Sequence, residues 1–289
     1  MRRVGRRGGG LLGIYIPPAS TCPHARFGAR ELPTPCWIAS DAHLGVAPRA
    51  SELALLSWLE AARTHARSVV INGDLFEFWF EWRSVIPRAG FEVVAALARL
   101  VRSGVPVVFV GGNHDCWGGT ALTEVAGVDY RLDPWHGRIG PWQARIEHGD
   151  GLRAVEDRPY RRLRRVLRHP WSHRAFRWLH PDWGSALARF SSHTSRHSRP
   201  RDGGAGLQSV GLRTLAEDPA LDLLIHGHSH VATLVRAPTG AVYANPGAWL
   251  DAPTFLAVTD ASVARRAWTG SAEGDALDLL DRRAEKALP

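Results

Sequence analysis

Short apolar runs, each closed by a polar cluster, set the rhythm of the chain up to about residue 230. Cys36–Ala39, Val69–Ile71, Val105–Val110, Ala144–Ile146 and Leu221–Ile225 predict strands buried on both faces. Between the first two, Arg49–His65 places Leu53, Leu56, Leu59 and Ala62 at helical spacing. Between the second and third, Phe91–Arg102 does the same with Val94, Leu97, Ala98 and Val101. That alternation predicts a βαβ architecture. From Val231 the pattern changes to Val231–Arg236, a turn at Pro238-Thr239-Gly240, Ala241–Ala244 and Thr254–Val258. These runs predict an antiparallel meander that closes the domain.

Residues 151–206 interrupt the rhythm. Tyr160, Leu163, Val166 and Leu167 share one helical face, and Arg161, Arg162, Arg164, Arg165 and Arg168 cover the other. Leu163 and Leu167 are expected to pack inward. Trp171, Phe176, Trp178, Leu179 and Trp183 follow, then a further helix with Leu187 and Phe190, then a returning loop at Ser198–Gly206. The pattern predicts a helical insertion at about 151–206 within one domain spanning 31–289. Residues 1–30 are expected to be a flexible basic leader. Their apolar part is short and broken by Gly13, Pro17 and Pro18, unlike a secretory signal.

A hydrophobic content of 45% and a charged content of 22% are those of a soluble globular protein. No apolar run approaches the roughly 20 residues of a membrane-spanning helix. Cys22, Cys36 and Cys116 are widely spaced and odd in number, which argues against a disulfide framework and for a cytoplasmic protein. Cys36 is expected to be a small core residue. The net charge of +8 is uneven. The insertion holds thirteen arginines against Glu156, Asp157, Asp182 and Asp202, and the leader holds six arginines and no acid. The remaining body is therefore acidic. An acidic body suits a site that collects cations, and a basic insertion suits an anionic partner.

The candidate chemistry lies where the strands end, the position at which open α/β sheets bind ligands. The stretch "GGNHDC" (Gly111–Cys116) closes the third run and supplies Asn113, His114 and Asp115. The first run leads into Asp41 and His43, the second into Asn72-Gly73-Asp74, the fourth into Glu147-His148-Gly149-Asp150, and the fifth into His226-Gly227-His228-Ser229-His230. Two carboxylates, an amide and several imidazoles, with no thiolate, suit Mn, Fe, Zn or similar divalent ions. There are too many ligands for one tetrahedral ion, so two metals sharing a carboxylate is the economical arrangement. His226 is expected to be structural, and Asp150 to brace the His148 turn. Glu77 either supports a metal or lies exposed on a loop. His169, His173, His180, His193 and His197 are expected at the surface.

Asp41-x-His43, Gly73-Asp74, Gly112-Asn113-His114-Asp115, His148-Gly149-Asp150 and Gly227-His228-x-His230 resemble, in this order, the motifs of the calcineurin-like metallophosphoesterases. The resemblance implies a layered α/β-β/α sandwich carrying the insertion as a helical cap. It implies one metal on Asp41, His43, Asp74 and His230, and a second on Asp74, Asn113, His148 and His228, with Asp74 bridging. It implies that His114 faces the phosphate as acid and charge stabiliser, with Asp115 orienting its imidazole. "GDLFEFWFEW" (Gly73–Trp82), "GNHDCW" (Gly112–Trp117), "HGDGL" (His148–Leu152) and "FRWLHPDWGSALARFSSHTSR" (Phe176–Arg196) are similar to the bacterial UDP-2,3-diacylglucosamine hydrolases of lipid A synthesis. That likeness implies manganese, a UDP-diacyl sugar as substrate, water attack on its diphosphate, and peripheral association with the cytoplasmic face of the inner membrane. Arg161, Arg164, Arg168, Trp171 and Trp178 are then expected to bind diphosphate and acyl chains or an anionic bilayer. No stable nucleic-acid partner is expected, and the oligomeric state is open. Two alternatives stand: the same fold acting on another phosphoester, such as a nucleotide or nucleic acid, or a non-catalytic lipid- or nucleic-acid-binding protein.

Overall fold

The structure, a computed structural model, describes residues 30–186, 202–271 and 273–282. The leader apart from Arg30, the helix expected around Leu187 and Phe190, and His193 and His197 lie outside the described residues.

Two sheets face each other. In the first, β2 (Cys36–Ala39), β3 (Ser68–Asn72) and β4 (Val107–Val110) run parallel, joined by α1 (Arg49–His65) and α2 (Phe91–Arg102). β5 (Asp129–Arg131) extends one side, while β11 (Thr254–Val258), β12 (Ser262–Ala267) and β13 (Asp275–Asp281) extend the other in antiparallel order. The second sheet runs β1 (Glu31–Leu32), β6 (Trp135–Ile139), β7 (Trp142–Ile146), β8 (Leu223–Ile225), β10 (Val242–Asn245) and β9 (Thr233–Arg236).

Alternation along each strand builds the layers. Ile38, Val70, Val108 and Leu256 of the first sheet meet Trp135, Ile146, Ile225 and Val242 of the second in a dry core. Each such side chain contributes about 1.5–3 kcal/mol by leaving water. Trp37, Val69, Phe109 and Phe255 point the other way, onto Trp58 and Leu59 of α1 and Leu97 and Leu100 of α2. Helix α5 (Ala205–Glu217) covers the second sheet by packing Leu215 against Leu224 and Tyr243. The expected α/β-β/α layering is present. Among the described residues no helix is long and apolar enough to cross a membrane.

Two expectations need correction. β7 is buried on one face only, because its Gln143 side faces solvent while Trp142, Ala144 and Ile146 face the inter-sheet core. The closing meander is divided between the sheets: β9 and β10 pair as expected, but β11 leaves to pair with β2.

The cap begins with α3 (Arg158–Leu167) and α4 (Pro170–Phe176). Phe176 rests on an aromatic seat, with ring centroids 4.8 Å from Phe80, 4.9 Å from Trp117 and 5.7 Å from Phe78. The indoles of Trp82 and Trp117 donate to the carbonyls of Leu179 and Leu167 at 3.0 and 2.8 Å. His173 leans on Phe80 at 4.8 Å, so it belongs to this seat rather than to open surface; His169 and His180 are exposed as expected.

α3 departs from the amphipathic reading. Arg161, Arg164 and Arg168 turn to the body while Arg162 and Arg165 stay exposed, and of the two leucines expected inside, Leu167 is half-buried but Leu163 is 51% exposed beside exposed Val166. The cause is Asp150, buried in the body, whose carboxylate accepts from Tyr160 Oη at 2.7 Å and lies 3.5 Å from both Arg164 and Arg168. Asp150 thus anchors the cap rather than bracing only its own turn. Arg161 donates to Ala154 O at 2.6 Å, Arg164 to Asp150 O at 2.8 Å and Arg168 to Leu132 O at 3.5 Å.

Candidate metal centre

The loops that leave β2 and β3 stay paired beyond the sheet. Asp41 N donates to Gly73 O, His43 N to Asp74 O, and Leu44 N to Leu75 O, at 3.0, 2.9 and 2.9 Å. That register puts Asp41, His43 and Asp74 side by side. The loop after β4 adds Asn113 and His114, and the loops after β7 and β8 add His148, His228 and His230 from the second sheet. All seven expected ligand residues therefore converge at one end of the sandwich.

The backbone there is strained. Among the described residues, the non-glycine residues with left-handed φ are Asp41, His43, Asp74, His228 and His230, at 46° to 61°. Such conformations cost of order 1–3 kcal/mol each and persist where surrounding structure enforces them, most often at functional sites. Here all five belong to the expected ligand set. Gly112 is needed for a different reason: a Cβ at that position would lie 2.8 Å from Asp74 N and 2.9 Å from Asp74 Cγ.

Three groupings of donor atoms lie close together: Asp41, His43 and His230; His43, Asp74 and His114; and Asp74, His148 and His228. Asp74 Oδ2 lies 3.2 Å from His148 Nε2 and 4.0 Å from His43 Nε2, between the two sides. Asp41 Oδ1 lies 3.5 Å from His230 Nε2 and 4.0 Å from His148 Nε2. His43 and His230 bring their Nε2 atoms within 3.3 Å of each other. The Nδ1 atoms are committed elsewhere: His43 donates to Glu77 Oε2 at 3.0 Å, His148 to Asn72 O at 2.9 Å and His114 to Glu77 O at 3.0 Å. Each ring therefore presents Nε2 to the centre, the tautomer a metal or substrate atom requires.

The site's charges are strongly coupled. Burial pushes the Asp74 carboxyl up, but His148, His114 and His43 outweigh it and hold it well below its ordinary range. Burial likewise opposes charge on Asp41, yet His230 and His148 keep it low. His148 responds in the opposite sense: burial lowers it, while Asp74, Asp41 and Asp150 raise it well above the usual imidazole value. His228 is pushed down to about 4 by burial and by charge on His148. Asp115, raised to about 6 by burial and by Asp74, is fully buried.

Do these residues fit metal ions? Asp41 Oδ1, Asn113 Oδ1 and His148 Nε2 are buried and make no hydrogen bond. Buried polar atoms without partners are rare and costly, and a coordinated cation removes that cost. Oxygen and imidazole donors without thiolate suit borderline divalent ions. The clusters suit a dimetal site.

The structure separates the expected His114–Asp115 pair. The Asp115 carboxylate accepts from the backbone N–H groups of Gly112 and Leu75, at 2.7 Å each, and of Asp74 at 3.3 Å. It braces the two loops around Asp74, and the His114 Nδ1 bonds to Glu77 O instead. Glu77 is only 3% exposed, so its exposed reading fails. Continued pairing of the two loops, with Glu77 N on Leu44 O at 3.0 Å, carries it back beside His43. His226 is fully buried with Nε2 3.2 Å from Glu147 Oε1, in keeping with a structural role.

A family model described as calcineurin-like phosphoesterase matches residues 34–232. A UDP-2,3-diacylglucosamine hydrolase of Porphyromonas gingivalis is 30% identical, with 68% of this chain and 82% of that protein covered. Its namesake from Aeromonas hydrophila is also 30% identical, over 66% of this chain and 79% of that protein. Among solved structures, a dimetal phosphatase from Danio rerio superposes with a TM-score of 0.45 at 14% identity, covering 86% of this chain and 98% of that one. The chain belongs to the calcineurin-like phosphoesterase family, in which curated relatives at about 30% identity are UDP-2,3-diacylglucosamine hydrolases.

Proposed function

We propose that this chain is a dimetal hydrolase that cleaves the diphosphate of UDP-2,3-diacylglucosamine to the acylated sugar 1-phosphate and UMP. The observation that carries the reading is Asp74 Oδ2 lying between imidazoles from both sheets, in a chain whose relatives bear that hydrolase name. Asp41, His43, Asp74 and His230 would hold one ion, and Asp74, Asn113, His148 and His228 the other. When bound, the two cations, in our reading Mn²⁺, lower the pKa of water and neutralise charge on the phosphoryl group.

The protein's own groups do the rest. His114, with Nδ1–H tied to Glu77 O, directs Nε2 toward the shared space; in its doubly protonated form it stabilises the leaving oxygen or gives it the Nε2 proton, leaving the neutral Nδ1–H tautomer. Arg168 pairs Nη2 with Asp150 at 3.5 Å and keeps Nε buried without a hydrogen bond, which leaves that one N–H for an anionic group at the cap's inner side. Arg161 and Arg164 add positive charge along that side while their contacts to Ala154 and Asp150 hold α3 down. The cap exposes Trp171 and Trp178, by 69% and 91%, as well as Val155, Leu163, Val166 and Trp183, and it exposes Arg162 and Arg165. These exposed apolar and basic groups support peripheral association with an anionic bilayer at the cytoplasmic side of the inner membrane, at about 1 kcal/mol per arginine near the surface.

The test is a substrate panel with Mn²⁺: UDP-2,3-diacylglucosamine, unacylated UDP-sugars, cyclic nucleotides and single-stranded DNA. The diacylated substrate is expected to give the highest kcat/KM. Faster turnover of DNA or of an unacylated nucleotide overturns the assignment.

A further inference from the structure

Glu77 touches two rings of the site, in two different ways. Its carboxylate accepts from His43 Nδ1 at 3.0 Å, and its main-chain carbonyl accepts from His114 Nδ1 at 3.0 Å. Those two rings stand edge to face, with centroids 4.9 Å apart. The residue cannot drift, because its own N–H is bonded to Leu44 O at 3.0 Å and its side chain is almost wholly buried. Two positions later, Trp79 N contacts His114 O at 3.4 Å, closing the loop on the far side of His114.

Resting on the dimetal reading above, we infer that Glu77 is a positioning residue that sets one metal ligand with its side chain and the acid group with its backbone. A carboxylate accepting from Nδ1 fixes both the tautomer and the plane of an imidazole whose Nε2 is the ligand atom, and loss of such a partner typically costs 10–100-fold in metal affinity or activity. The two attachments make a separable forecast. Truncating the side chain releases His43 but leaves the carbonyl under His114 in place. Because the carboxylate bonds His43 at 3.0 Å and only approaches His114 Nδ1 at 3.9 Å, the larger damage falls on one metal site and the smaller on the acid.

The experiment titrates Mn²⁺ into chelator-treated full-length protein by calorimetry, for wild type, Glu77→Ala and Glu77→Gln, with melting temperatures measured alongside. Glu77→Ala is expected to weaken one of two Mn²⁺ steps by about 10–100-fold and leave the other within about threefold. Turnover of a chromogenic phosphodiester should return to within about tenfold of wild type once Mn²⁺ saturates both sites. Glu77→Gln retains a carbonyl oxygen for His43 Nδ1, so it is expected to recover most of the lost affinity. Should Glu77→Ala fail to fold, the Gln variant decides: an intact pair of Mn²⁺ steps supports orientation, and a loss as large as a truncation would give overturns it. Unchanged Mn²⁺ binding in folded Glu77→Ala also overturns the inference. If wild type itself takes up fewer than two ions, the dimetal reading fails, a result distinct from any defect of the variants.

Discussion

Gly112→Ala tests whether the position of Asp74, rather than its mere presence, determines turnover. The added Cβ would start 2.8 Å from Asp74 N and 2.9 Å from Cγ, and closer still to Oδ1. Carbon contacts relax near 3.5–4.0 Å, so the carboxylate must retreat by about 1 Å. It cannot swing freely, because Oδ1 already accepts from His114 N at 2.9 Å and Oδ2 faces His148 at 3.2 Å. A displacement of about 1 Å in a reacting centre costs on the order of 10² in rate, roughly 2.7 kcal/mol of barrier. Overpacking costs about 1–3 kcal/mol of stability, which a fold stable by about 5–15 kcal/mol survives. The assays are steady-state hydrolysis with saturating Mn²⁺ and calorimetric melting. Gly104→Ala is the control: φ is +94° and a Cβ there meets nothing within 4 Å. It should lose about 1–2 kcal/mol of stability to left-handed strain and no activity. The reasoning is refuted if Gly112→Ala works within threefold of wild type, or if the control is equally impaired.

His114→Ala should lower the rate by roughly 10²–10⁴ while both Mn²⁺ ions remain bound, measured by single-turnover kinetics and metal analysis. An unchanged rate would give the leaving oxygen to another group. Mn²⁺ affinity should rise with pH from 6 through 8, because Asp74 and Asp41 hold a proton on His148 above the usual imidazole range and the ion must displace it. His228, pushed to about 4, adds no proton in that window, so a flat profile between pH 6 and 8 refutes the assignment of His148. Trp171→Ala with Trp178→Ala should raise KM for the diacylated substrate severalfold and weaken binding to anionic vesicles. A small soluble phosphodiester should be hydrolysed as before, and equal loss on both substrates would mark the tryptophans as merely structural.

Much of the body was legible in the chain because its elements are buried uniformly. Arg49–His65 and Phe91–Arg102 form helices with the expected limits, and Cys36–Ala39 the expected strand. β6 and β13 carried no such signal. β6 buries only Trp135 and Ile139 at its ends and has Gly137 between them, packed under Arg30 O; β13 is exposed along almost its whole length and interleaves aspartates with leucines. Division of the meander was invisible because β11 pairs with Ile38 and Trp37, far away in sequence. Spacing told which residues of α3 share a face but not where that face points; buried Asp150 and the carbonyls of Ala154, Asp150 and Leu132 hold Arg161, Arg164 and Arg168 inward. The ligand residues could be read because strand ends concentrate them. For Glu77 the pattern left two readings open, metal support or an exposed loop, since its partner ring lies across a loop pairing that local pattern does not encode.

Residues 74–82 form a single strip between metal centre and cap. Asp74 and Glu77 project to one end, while Phe78, Phe80 and Trp82 make the seat on which Phe176 and His173 rest. Hydrolytic centre and lid are consequently not interchangeable modules. A chimera that grafts the lid of a relative onto this body inherits a floor shaped for Phe176, and any misfit begins one residue from Glu77. Substrate range can be re-engineered here only by moving the lid together with residues 78–82 and Trp117, as one transplant.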